Sequence, residues 1–113
     1  MSPSLYMVLS YFPSPEKAAD VVQVLLEKKL IACANIAPPV SSHYTWEDKL
    51  CSETETPVWM KTNQTQLIEV ENIIKSLHTY EVPAILKWAI EANADYTHWA
   101  NASIIPLTIH TKE

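Results

Sequence analysis

The 113-residue chain has no glycine and no arginine, and each absence removes a class of function. Without glycine, the phosphate-cradling loops of the Walker and dinucleotide-binding types cannot form, because their backbones need residues that lack a Cβ. Without arginine, and with 8 basic residues against 13 acidic ones for a formal net charge of -5, there is no phosphate-tracking surface. Nucleic acid and acidic membrane surfaces are therefore disfavoured as partners. No apolar run approaches the roughly 20 residues of a membrane span, and no basic segment followed by an apolar one stands at the N-terminus, so the expectation is a cytoplasmic protein. Cysteine is scarce as well. Cys33 and Cys51 are too far apart for a Cys-x-x-Cys motif and too few for a disulfide framework, and both are read as free thiols.

What is present fits a single domain over residues 1–113, with 48% hydrophobic residues and no repeat, linker or low-complexity run. Leu5–Phe12 is an apolar, branched and aromatic run stopped by Pro13, which predicts a strand. Ser14 and Pro15 open a helix whose apolar stripe is Ala18, Val21, Val22, Leu25 and Leu26. Strand character returns from Ile31 to Ile36, breaks at Pro38-Pro39, and resumes from Val40 to Trp46. Glu47-Asp48 reads as a two-residue hairpin turn leading into a return strand that reaches Lys61, with Pro57 placed at an edge or a bulge. Asn63 and Gln66 resemble a capping box before a second helix carrying Leu67, Val70, Ile74 and Leu77. The run from Ala84 to Ile90 is short and apolar, as a strand buried on both faces would be. Asn93 to Asp95 offer caps for a last helix with Tyr96, Trp99 and Ala100, and Ile104–Ile109 forms a candidate edge strand. The order predicts an α+β, ferredoxin-like βαββαβ sandwich with a C-terminal helix.

Between the second helix and the following strand lies Leu77–Pro83, reading LHTYEVP. Bends are usually built from Gly, Asn, Asp and Ser, so His78, Tyr80 and Glu81 point to packing against a site or a subunit. The hairpin from Val40 to Lys61 is longer than one small sheet and two helices can cover. Its Tyr44, Trp46 and Trp59 would leave a sticky edge in a monomer, so a homo-oligomer is expected.

Taken together, ACANI at 32–36, YTWEDKL at 44–50, MKT at 60–62, LHTYEVP at 77–83 and DYTHWANAS at 95–103 resemble the CutA family of divalent cation tolerance proteins. The resemblance implies a tight homotrimer whose long β-hairpins cross between subunits. It also implies a link to metal tolerance, with copper or another divalent cation as the bound ion, and a trimer similar to PII-type signalling proteins. The family's Ala-Cys cysteine falls on Cys33 and its motif histidine on His78, which makes these two the metal-ligand candidates. Glu81 is a further candidate, because Ala84 stands where many members carry a glutamate; separately, Thr79 replaces the usual proline. Lys61, Trp46, Tyr80 and Glu81 are candidates for lining a ligand or subunit cleft.

Each candidate also has a structural reading. A thiolate at Cys33 suits Cu(I) and an imidazole at His78 suits either copper state, but Cys33 between two alanines also fits a small buried hydrophobe. His78 near a helix C-terminus is expected to have its cation favoured by the helix dipole. Glu81 is expected to pair with Lys61 or Lys87. The four tryptophans are assigned to core and interface packing. Cys33 and His78 have the types of a nucleophile and its base, yet no third orienting residue or glycine-lined loop accompanies them, so no enzyme is expected. The functional expectation is binding, to a metal ion or, in the PII-like alternative, to a small ligand between subunits of a signalling or scaffold trimer.

Overall fold

Local chemistry starts each helix where the residue types predict. The computed structural model describes residues 5–106. Strand β1 (Leu5–Phe12) ends at Pro13, and Ser14 Oγ accepts a hydrogen bond from the Lys17 N–H at 3.1 Å to cap helix α1 (Pro15–Glu27). Helix α1 buries Ala18, Val21 and Leu25 and closes with paired bonds, Leu30 N–H to Leu25 C=O and Lys29 N–H to Leu26 C=O, both 3.0 Å. This closing pattern requires a left-handed residue, and with no glycine in the chain Lys29 takes it at φ 58°. After β2 (Cys33–Ile36), β3 (Val40–Trp46) and β4 (Lys49–Thr62) form a hairpin whose turn holds Glu47 at φ 51° and Asp48 at φ 66°, as the two-residue turn predicts. Half of the expected capping box forms. Asn63 Oδ1 accepts from the Gln66 N–H at 3.3 Å, whereas the Gln66 side chain turns away to donate to the Ile105 carbonyl at 2.8 Å. A single 3-10 turn then leads into α2 (Leu67–Leu77), followed by β5 (Ile85–Ile90) and α3 (Ala94–Ser103).

The sheet has the order β2-β4-β1-β5 with every pair antiparallel, the order of the ferredoxin-like βαββαβ arrangement, and β3 pairs with the part of β4 that runs beyond it. Strand β4 is 14 residues long, and at about 3.4 Å per residue it spans about 48 Å, close to the 50 Å longest extent of the molecule. Its first half belongs to the hairpin and its second half to the sheet centre. Pro57 sits at the changeover, buried and opposite Tyr11; three residues, 37–39, face Thr56 and Pro57 there, so it lies at a bulge-like step in the register and not on an outer edge. Its carbonyl accepts from the Ala37 N–H at 2.9 Å, and its nitrogen faces the same side. There Pro38-Pro39 separates β2 from β3, so the missing donor falls where the ladder is already broken.

Strand alternation assigns the two faces. Val8, Phe12, Val58 and Met60 point to the helices and pack with Ala18, Val21, Leu25, Val70 and Ile74. On the opposite face, α3 covers only one end, where Leu5 and Ala32 meet Ala100 and Ile104. The rest of that face carries Trp59, Leu86 and Trp88, exposed by 37%, 47% and 40%, with the two indoles edge to face at 6.1 Å. Strand β5 is therefore not buried on both faces: among the described residues it pairs with β1 alone, and no described helix lies over Leu86 and Trp88. The expected tail strand also fails in its described part. Ile104–Pro106 are not extended into a ladder; the Ile105 N–H bonds to the Lys29 carbonyl at 2.8 Å, and positions 107–109 lie outside the described residues.

Because Lys29 holds a left-handed conformation, Lys29→Gly is expected to stabilise the fold by about 1 kcal/mol. Lys28→Gly, at φ -81°, is expected to lower stability by about 0.5–1 kcal/mol. Urea denaturation of the two variants at matched protein concentration checks the opposite signs.

Candidate functional site

The LHTYEVP bend is held by its histidine. Helix α2 ends at Leu77, and His78 turns to φ -76°, ψ 145°. Its ring stacks on Phe12 with centroids 4.7 Å apart and planes 16° apart, and lies 4.6 Å from the Tyr80 ring. The Tyr80 N–H donates to Nδ1 at 3.2 Å, so Nδ1 carries no proton, and Nε2–H donates to the Tyr11 carbonyl at 2.8 Å. Both nitrogens are thus committed, and the ring is neutral. Burial lowers the His78 pKa, with Lys17 adding to the effect, while the bond to Tyr11 and the charge of Glu55 oppose it. The cation expected from the helix dipole is overturned by this desolvation. Tyr80 extends the bend onto the hairpin: burial first, then a hydrogen bond with Glu55, push its phenol well above the usual range. Farther along the same strand pair, a hydrogen bond with Glu53 pushes Tyr44 up to about 12.

Cys33 belongs to a second cluster. The β2–β4 register sets it opposite Lys61, and alternation sends Ala34 to the core and Cys33 to the opposite face, so it is half-buried and not a core residue. Lys61 Nζ donates to Cys33 Sγ at 3.6 Å and to Asn35 Oδ1 at 3.3 Å. The Tyr96 hydroxyl lies 3.2 Å from Cys33 Sγ, and Lys61 Nζ stands 6.0 Å from the Tyr96 ring centroid. Its hydrogen bond with Cys33, followed by burial, pushes the Tyr96 phenol up to about 12, so the hydroxyl keeps its proton. Trp99 packs against Tyr96 at 5.5 Å.

The two clusters are separate within one chain. Lys61, beside Cys33, lies opposite Met7, whereas His78 bonds to Tyr11 four residues along β1, a separation of about 13 Å. No group of three or more His, Cys, Asp and Glu side chains capable of holding a metal ion forms among the described residues. The predicted cleft does not converge either. Tyr80 sits against Glu55 at the hairpin base, and Trp46 at the tip and Lys61 in the sheet each lie six residues from that level, about 20 Å away. Glu81 is exposed and makes no hydrogen bond or ion pair among the described residues. Its expected partners are engaged elsewhere: Lys87 forms an ion pair with Glu71, and Lys61 bonds to Cys33 and Asn35. Glu71 also meets Lys75 at 3.3 Å, and the bonds from Lys87 and then Lys75 lower its pKa.

Sequence reasoning missed Asn35 and Tyr96. Asn35 was legible through alternation, two positions from Cys33 on the same face. Tyr96 was not, since it reaches Cys33 across 63 residues by the way α3 folds over the sheet.

The sequence pattern of the family described as CutA1 divalent ion tolerance protein matches residues 6–103. The divalent-cation tolerance protein CutA of Pyrococcus horikoshii is 38% identical over 96 residues, covering 84% of this chain and 93% of that protein. The crystal structure of CutA1 from Ehrlichia chaffeensis superposes with a TM-score of 0.85 at 34% identity, over 91% of this chain and 96% of that one. The periplasmic divalent cation tolerance protein CutA from Archaeoglobus fulgidus superposes with a TM-score of 0.84 at 33% identity, over 88% and 97% of the two chains.

The neutral His78 makes stability pH-dependent. Its folded pKa lies below the ordinary value of 6.5, so the stabilisation is full above that value and is lost as the pH falls through it towards the folded pKa. Urea midpoints are expected to fall on acidification from pH 7.5 to lower pH in the native chain, more steeply than in His78→Gln. A nuclear magnetic resonance titration placing the His78 ring above 6.5 would contradict this.

Proposed function

The chain belongs to the CutA1 divalent ion tolerance family, and on that footing we propose that it is a cytoplasmic, homotrimeric protein of divalent-cation tolerance that binds copper and acts by binding, not by turnover. The observation that carries this reading is the helix-free sheet face. Trp59, Trp88 and Leu86 form an apolar area next to a hairpin with Leu50 exposed by 93% at its far end. Exposed areas of this kind are what subunit contacts cover, and copies that exchange hairpins cover both the face and the open strand edges. The free thiols of Cys33 and Cys51 fit a reducing compartment, which favours the cytoplasm over the periplasm named for the Archaeoglobus fulgidus protein. No described helix is long and apolar enough to cross a membrane.

Within one chain, Cys33, His78 and Glu81 do not make a metal site. His78 would have to give up its bonds to Tyr11 and Tyr80, and Glu81 stands on the bend, away from Cys33. The copper reading therefore rests on the soft sulfur of Cys33, with further donors supplied by a second copy. Cu(I) suits this position better than Cu(II), since a cuprous thiolate is neutral and tolerates the Lys61 ammonium beside it. The PII-like alternative, a signalling or scaffold trimer with a small ligand between subunits, is favoured by a different observation. Lys61 is half-buried and donates to Cys33 Sγ and Asn35 Oδ1, with no carboxylate partner among the described residues.

Two measurements test the leading reading. Sedimentation is expected to give a trimer for the native chain and smaller species for the Trp59→Glu, Trp88→Glu double variant; a native monomer at micromolar concentration would overturn the assembly. In competition with a Cu(I) chelator, Cys33→Ser is expected to lose about tenfold or more in affinity, roughly 1.4 kcal/mol, while His78→Ala stays unchanged. Equal affinity in Cys33→Ser and the native chain would sink copper at Cys33.

A further inference from the structure

Of the two free thiols, both half-buried, Cys33 alone meets an amine among the described residues. The β2–β4 register sets it directly opposite Lys61, at the spacing where cross-strand side chains touch, and Lys61 Nζ lies 3.6 Å from Cys33 Sγ. Asn35 Oδ1 accepts from the same Nζ at 3.3 Å and so holds the amine beside the sulfur. The Tyr96 hydroxyl, which keeps its proton, reaches Sγ at 3.2 Å. Cys51 provides the contrast within the chain: among the described residues its sulfur bonds only to the Lys49 carbonyl, at 3.8 Å. A partly exposed cysteine beside a cation is the setting in which a thiolate reacts, and an oxidised sulfur is open to condensation with a nearby nitrogen. At Cys33 that nitrogen is a side-chain amine already in contact. All of these contacts lie within one chain, so the pair exists whether or not a second copy covers the neighbouring tryptophans.

From this contact we propose that Cys33 and Lys61 form a peroxide-responsive covalent switch, closing to a sulfenamide between β2 and β4. The Cys33 thiolate attacks one oxygen of hydrogen peroxide: the S–O bond forms, the O–O bond breaks, and hydroxide leaves, the sulfur being oxidised and the peroxide reduced. That hydroxide takes a proton from the Lys61 ammonium. The free amine then attacks the sulfur of the sulfenic acid, so that the S–N bond forms, the S–O bond breaks, and water departs with an amine proton. A small thiol reopens the bridge by attacking the same sulfur and releasing the amine, and a second thiol frees Cys33 and leaves a small-molecule disulfide. The closed form holds no thiolate for a soft metal ion. Closing needs no metal, so the switch stands or falls apart from the copper reading.

Metal-free, full-length Cys51→Ser protein treated with hydrogen peroxide tests the switch, since that background excludes a disulfide between Cys33 and Cys51. Tryptic mapping by mass spectrometry is expected to find the Cys33 peptide joined to the Lys61 peptide, lighter than their sum by a pair of hydrogens. Cleavage after Lys61 is expected to be lost, and dithiothreitol to restore it. Adding Lys61→Arg keeps the charge but removes the nucleophilic amine, so Cys33 is expected to stop at the sulfenic acid, where dimedone traps it, and the joined peptide to disappear. Lys61→Gln is expected to lose the joined peptide as well, so the result does not depend on one variant folding. Three outcomes overturn the switch: a joined peptide that survives both substitutions, a Cys33 that reaches the sulfinic acid while Lys61 stays free, or a Cys33 that peroxide leaves as a thiol. A joined pair that runs as a covalent dimer on a denaturing gel also overturns it, because the bridge would then link two copies.

Discussion

The antiparallel ladder between β1 and β4, from Tyr6 opposite Thr62 to Phe12 opposite Thr56, is the constraint on which the rest of the structure depends. It fixes the parity of the whole sheet. Val8, Phe12, Val58 and Met60 face the helices, and Met7, Tyr11, Trp59 and Lys61 therefore face away from them. A slip of one residue would exchange the two sets, putting the Lys61 ammonium into the core and Met60 on the open face. The burial of Phe12, Val58 and Met60 therefore holds the register. Because β2 and β5 pair with the same two strands, the parity carries through to Cys33, Asn35, Leu86 and Trp88.

That parity separates the roles of the two clusters. On the helix side, the end of β1 presents the Phe12 ring and the Tyr11 carbonyl to His78, and the bend closes around a neutral imidazole used as a structural clamp. Burial, and then Glu55 at the hairpin base, raise the Tyr80 phenol beside this clamp. On the other face, Cys33, Lys61, Asn35 and Tyr96 meet without a carboxylate among the described residues, next to exposed tryptophans.

The absence of glycine has a structural cost that falls on particular residues. Lys29, Glu47 and Asp48 all take left-handed conformations, which for residues with a Cβ is disfavoured by steric contact with the backbone. Each is retained by tertiary demands. Lys29 closes α1 so that the following segment can enter β2, and Glu47-Asp48 twists the hairpin to match its strands.

The sequence by itself determined the element order, the Ser14 and Asn63 caps, the hairpin turn and the family, because capping, proline placement and short-range periodicity are local and each residue type has few alternatives. Tertiary structure alone decided the protonation of His78, the isolation of Glu81 and the company of Cys33. The dipole at the end of α2 argued for a histidine cation, and burial against Phe12 outweighed it. Alternation placed Cys33 and Asn35 together, but only the path of α3 across the sheet end brought Tyr96 to them. Residues that meet across many intervening positions leave no periodic trace, since their proximity depends on how the elements pack and not on the spacing within any one of them.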